Sequence, residues 1–141
     1  MKKEKKVLVF GTFDHLHPGH QYFLKKAKSL GNRLMVVLAR DKNVKKIKGQ
    51  KPSQNEKQRL IKIKNLDFVD QVFLGQDNLN HKYDIIKKIK PDIIALGYDQ
   101  KNFTQDLPKY INNKTKIIRL KAFEPGKYKS SIIKQRKNGD L

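Results

Sequence analysis

Five short apolar runs stand out from a chain otherwise crowded with lysine: residues 7–10, 34–39, 69–74, 92–96 and 116–120. They are continuous rather than alternating, which is the pattern of strands buried on both faces of a parallel sheet. Between them the apolar spacing changes to that of helices. Phe23, Leu24, Ala27 and Leu30 share one helical face, with Pro18 suited to the first turn and Gly31 placed as a C-cap glycine. Leu60, Ile61 and Ile63 mark a second helix, from Ser53 or Glu56 through Leu66. Ile85, Ile86 and Ile89 mark a third, with Asn80 as its N-cap and Pro91 as its stop. Residues 103–113 read as a weakly patterned helix, and a last helix is expected to start at Ser130. The polar, basic stretch 40–55 reads as a long loop.

This alternation predicts an α/β fold: a doubly wound, five-stranded parallel sheet with helices on both faces, in one domain over residues 1–141 with mobile ends at 1–6 and 138–141. In such a sheet, ligands lie outside the carboxyl ends of the strands at the switch point. Three unusual loops, at residues 11–20, 97–100 and 121–131, all follow strands and are expected at that edge.

Composition narrows the chemistry. With no cysteine, disulfides, zinc–thiolate sites and thiol nucleophiles are excluded. No apolar run approaches membrane-spanning length, so a cytoplasmic protein with no membrane partner is expected. The net charge of +20 comes mostly from lysine, spread along the whole chain. Nucleic-acid readers lean on arginine for bidentate contacts, so the balance favours solvated lysine faces over dedicated nucleic-acid binding.

The loop at residues 11–20 carries the most specific signal. A strand runs into Gly11-Thr12-Phe13-Asp14, and His17-Pro18-Gly19-His20 opens a helix. Free N–H groups and the positive dipole end make that helix mouth an anion site. Two imidazoles three residues apart can both face a phosphate there. Gly19 removes a side chain where the phosphate comes close, and Thr12 and Phe13 can add backbone donors. His15, His17 and His20 are crowded, but they straddle a turn, so a zinc site is not expected.

Gly11-Thr12-Phe13-Asp14 followed by His17-x-Gly19-His20 resembles the mark of the cytidylyltransferase-like nucleotidyltransferases. Further stretches resemble the archaeal-type FAD synthetases: Ala39-Arg40-Asp41, Val44-Lys45-Lys46-x-Lys48-Gly49-x-Lys51-Pro52, Glu56-x-Gln58-Arg59, the run from Lys90 to the Gly97-Tyr98-Asp99-Gln100 loop, and Tyr128-Lys129-Ser130-Ser131. The last loop lacks the arginine and isoleucine that glycerol-3-phosphate cytidylyltransferases carry there. The resemblance implies a Rossmann-like fold and transfer of AMP from ATP to FMN, with magnesium or another divalent cation accompanying the nucleotide. It implies His17 and His20 as catalytic phosphate contacts. Gly11, Thr12, Phe13, Pro18, Gly19, Asp99, Tyr128, Ser130 and Ser131 are the further nucleotide-binding candidates, and Asp14, Lys45, Lys46 and Arg59 the candidates for phosphate or acceptor contact. A CTP-dependent enzyme acting on an alcohol phosphate and a non-catalytic nucleic-acid-binding domain are the alternatives. Relatives often dimerise, so a homodimer is an open expectation.

Overall fold

All five apolar runs form strands, and the strands lie parallel in one sheet of order β3-β2-β1-β4-β5. The computed structural model describes residues 4–78, 81–98, 100 and 107–121. In chain order the elements are β1 (Lys6–Gly11), α1 (Pro18–Ser29), β2 (Arg33–Leu38), α2 (Asp41–Lys48), α3 (Glu56–Lys64), β3 (Gln71–Leu74), α4 (Asp84–Ile89), β4 (Ile93–Leu96), a 3-10 turn (Leu107–Tyr110) and β5 (Lys116–Arg119).

Successive strand residues feed two cores, one on each face. Val7, Val9, Leu34, Val36 and Leu38 pack with Phe23, Leu24 and Ala27 of α1 and Ile63 of α3. Leu8, Phe10, Met35 and Val37 pack on the other face with Tyr83, Ile86, Ile89 and Leu107. The three central strands are continuous apolar runs because neither face meets water, while the edge strands β3 and β5 are only partly buried. The fold is thus the Rossmann-like doubly wound sheet. Its order reverses between β1 and β4, which places the switch point beside the loop that follows β1. Among the described residues no helix is long and apolar enough to cross a membrane.

The local expectations differ from the structure in several places. Residues 41–48, expected within a loop, form α2. It buries Asn43 and Val44 and ends at Gly49, whose φ of 88° is left-handed. Gly31 is not a left-handed cap: α1 ends through Leu30 in a right-handed conformation. Gly31 is needed for close approach instead, since a Cβ there would lie 2.6 Å from the Lys5 carbonyl oxygen. Residues 5 and 6, expected in a mobile end, are anchored. The Lys5 amide donates to Asn32 Oδ1, the Lys6 amide to Asp92 Oδ2, and Lys6 Nζ to the Ile89 carbonyl. Of the weak helix at 103–113, residues 107–110 form only a 3-10 turn, 111–113 are not helical, and 103–106 lie outside the described residues. Asn80 and the helix expected from Ser130 also lie outside them.

Candidate active site

The turn after β1 is held by a pair of histidines that cap one another. His17 is the N-cap of α1, and its Nδ1 accepts from the amides of Gly19 at 3.1 Å and His20 at 3.4 Å. His20 Nδ1 in turn accepts from the His17 amide at 3.1 Å. This is a capping box built from imidazoles. Pro18 occupies the first helical position, where its missing N–H costs nothing. The rings stack with centroids 3.6 Å apart. A nitrogen that accepts carries no proton, so in this arrangement the ring hydrogen sits on Nε2. The Nε2 edges of both rings therefore face away from the cap at the start of α1.

Protonation is set by burial. His20 is 2% exposed, and burial pushes its pKa down to about 3, with the neighbouring His17 and Lys48 adding to the shift and Asp14 opposing it. His20 is therefore neutral at neutral pH. The Lys48 contribution also means that the last turn of α2 brings its positive charge toward the histidine pair. Lys45 and Lys46 are exposed on the same helix.

The backbone that reaches this turn is constrained. Phe13 and His15 have φ of 49° and 52°, each a left-handed conformation that costs about 1 kcal/mol or more outside glycine. Burial holds Phe13 there: it is 3% exposed, edge-on to His20 and stacked on Phe23. Gly11 is required by the same ring, because a Cβ at Gly11 would lie 2.5 Å from it.

Two residues expected as phosphate or acceptor contacts turn out to hold the loop. Arg59 is wholly buried. Its Nη1 donates to the Thr12 carbonyl at 2.9 Å, its Nε to the Gln54 carbonyl at 3.1 Å, and its Nη2 to Asp41 Oδ1 at 2.7 Å. Its guanidinium is directed at protein acceptors. Asp14 accepts from the amides of Ser53 and Gln54 at 2.8 and 2.9 Å. Burial raises its pKa, but those amides and the charges of His15 and Arg59 outweigh burial and hold it below the ordinary value. Asp41 and Glu56 cap each other's amides, and Glu56 also meets Arg40. The first turns of α2 and α3 are thus tied to the β1 loop through one guanidinium.

The loop after β4 meets the same edge. Gln100 Oε1 accepts from the Gly97 amide at 2.8 Å, and Gln100 Nε2 donates to the Phe10 carbonyl at 2.9 Å. Arg119, at the end of β5, donates to the carbonyls of Gly97 and Gln100. Gln100 was legible as part of a motif but not as a tie between strand ends, and Arg119 reads as an ordinary surface residue. Asp99, Tyr128, Ser130 and Ser131 lie outside the described residues.

A cleft of about 400 Å³ opens beside α2 and α3, lined by residues that include Arg40, Lys42, Lys51, Lys57 and Asp77. Neither histidine lines it, and its arginine is already paired with Glu56 and Asp77. The donor chemistry that suits a phosphate is at the histidine turn. Among the described residues no three His, Cys, Asp or Glu side chains come together as a metal site.

Comparison with known proteins agrees with this geometry. The family model described as cytidylyltransferase-like matches residues 8–136. A FAD synthase of Methanobrevibacter smithii is 44% identical, over 97% of this chain and 94% of its own. One of Thermococcus sibiricus is 40% identical, over 96% of this chain and 90% of its own. The crystal structure of a lipopolysaccharide core biosynthesis protein from Thermoplasma volcanium superimposes with a TM-score of 0.76 at 38% identity, covering 86% of this chain and 99% of that one.

Proposed function

The chain belongs to the cytidylyltransferase-like family, and from that premise we propose that it transfers AMP from ATP to FMN, forming FAD and pyrophosphate. The observation that carries this reading is the reciprocal cap of His17 and His20, which turns the Nε2 edges of both rings away from the cap at a helix N-terminus. The acceptor rests on the FAD synthase relatives.

The reaction asks for little proton chemistry. A phosphate oxygen of FMN, already ionised near neutral pH, attacks the α-phosphorus of ATP. The new P–O bond forms as the bond to the bridging oxygen breaks, and pyrophosphate leaves with that electron pair. No general base is required, so catalysis rests on position and on charge stabilisation. His17 and His20 donate from Nε2 to the phosphate oxygens, and the α1 dipole and the Lys48 charge act in the same direction. Arg59 and Asp14 fix the loop so that these donors are in place before substrate arrives. Asp99 and Tyr128 are assigned to the nucleoside, and Ser130 and Ser131 to the β- and γ-phosphates.

Magnesium fits as a companion of the nucleotide. It keeps several waters and is bound mainly by substrate phosphates, so it needs no dedicated cage of protein ligands. When bound, it neutralises charge on the triphosphate.

The test is a substrate panel with magnesium present. FMN plus ATP is expected to give FAD and pyrophosphate in equal amounts. Turnover of CTP with glycerol 3-phosphate in its place would refute the acceptor and the nucleotide assigned here.

A further inference from the structure

We propose that Gln54 is a positioning residue for the histidine turn, holding the backbone at His15 so that His17 and His20 are in register for the phosphates. The inference rests on the reading above for what the two histidines do. It adds a residue from outside their loop that sets where they stand.

The loop between β1 and α1 turns through two left-handed residues, Phe13 and His15, and they are held in different ways. Phe13 is locked by its buried ring, packed against His20 and Phe23. The His15 side chain is exposed, so burial does not hold it. Left-handed backbone is unfavourable for a residue with a Cβ and persists where the surroundings over-determine it. At His15 the hold comes from a side chain 39 positions away: the His15 amide donates to Gln54 Oε1 at 3.1 Å.

Gln54 is itself fixed through its backbone. It lies in the connection between α2 and α3. Its amide donates to Asp14 Oδ1 at 2.9 Å, and its carbonyl accepts from Nε of the buried Arg59 at 3.1 Å. The neighbouring Ser53 amide donates to the other Asp14 oxygen, and Arg59 also donates to the Thr12 carbonyl. The connection and the loop are thus laced together at Thr12, Asp14 and His15, and of these ties the one to His15 comes from the Gln54 side chain. His17, the N-cap of α1, follows His15 by two residues. A shift of the His15 peptide therefore passes directly to the cap, and misplacing a reacting group by about 1 Å can cost about a hundredfold in rate. Changing the Gln54 side chain leaves its backbone ties in place and releases His15 alone, which separates its contribution from those of Asp14 and Arg59.

The experiment compares Gln54→Met, similar in length but without a strong acceptor, and Gln54→Glu, which keeps the acceptor, with the unaltered chain. Under conditions where every variant is fully folded, Gln54→Met is expected to lower kcat for FAD formation about tenfold, and Gln54→Glu to stay within about threefold. In a His17→Asn background, Gln54→Met is expected to change kcat by no more than about twofold, because its effect passes through that imidazole. A second readout needs no turnover. The imidazole ¹⁵N resonances of His17 and His20 are expected to show the Nε2–H tautomer in the unaltered chain and in Gln54→Glu, and to shift toward the averaged values of mixed tautomers in Gln54→Met. The proposal is overturned if Gln54→Met keeps full kcat, if Gln54→Glu loses as much as Gln54→Met, or if the loss is equally large in the His17→Asn background. If the unaltered chain makes no FAD, the reading of the reaction fails, and the resonances decide the role of Gln54 on their own: the shift in Gln54→Met supports it, and unchanged signals overturn it.

Discussion

A histidine that caps a helix differs from a cap serine or asparagine in one way: protonation destroys the cap. His20 accepts through Nδ1 and is held neutral by burial, with its pKa lowered from 6.5 to about 3. Between those values the unfolded chain binds one more proton than the folded one. Stability therefore falls as pH falls through that window, by about 1.4 kcal/mol per unit from this residue. Replacing His20 by Asn keeps an acceptor for the His17 amide but removes the titration. Urea unfolding at pH 7, 5.5 and 4.5 should show a shallower pH slope for His20→Asn than for the unaltered chain. Asp14 acts in a lower window. Its folded pKa lies below 3.8, so its stabilising ties to Ser53 and Gln54 persist above that value and are lost as pH falls through the folded pKa.

At the level of elements, what could be read from the chain and what could not divide on a physical line. The central strands announced themselves, because burial on both faces demands an unbroken apolar run, while the partly exposed edge strands β3 and β5 carry polar residues such as Gln71, Lys116 and Arg119 and gave a weaker signal. The α1 entry was equally plain, since proline and two histidines at a helix mouth leave few other arrangements. Helix α2 was not legible. It is eight residues long, turns mostly lysines outward and buries only Asn43 and Val44. Its definition comes from Gly49 at one end and from the Arg40, Asp41 and Glu56 contacts at the other. A Cβ at Gly49 would meet nothing within 4 Å, so Gly49→Ala has only the left-handed backbone to oppose it. The expected loss is about 1 kcal/mol in chemical unfolding, with Gly49→Asn losing less. The role of Arg59 was hidden for a related reason: its partners Asp41 and Thr12 lie 18 and 47 positions away. Arg59→Met should lower stability by about 3 kcal/mol, because Asp41 loses its cation and two loop carbonyls lose their donor. It should also lower turnover by about a hundredfold, since a displaced loop misplaces the donors. Steady-state kinetics under conditions where the variant is fully folded separates the two effects.

For the whole molecule, the sheet order is what assembles the site. The loop after β1 and the loop after β4 come from opposite halves of the chain, and the hydrogen bond from Gln100 to the Phe10 carbonyl brings them to one edge. The net charge of +20 favours anionic substrates over that edge without selecting among them. In the proposed mechanism, phosphate contact and charge stabilisation are assigned to the histidine turn. The central claim is that His17 serves in two separable ways, as a helix cap through Nδ1 and as a phosphate donor through Nε2. The most direct test is His17→Asn, because asparagine retains the capping acceptor and loses the imidazole donor. Pyrophosphate release from ATP and FMN should fall by about a hundredfold or more in this variant, with thermal stability within a few degrees of the unaltered chain. Full turnover by His17→Asn would contradict the account.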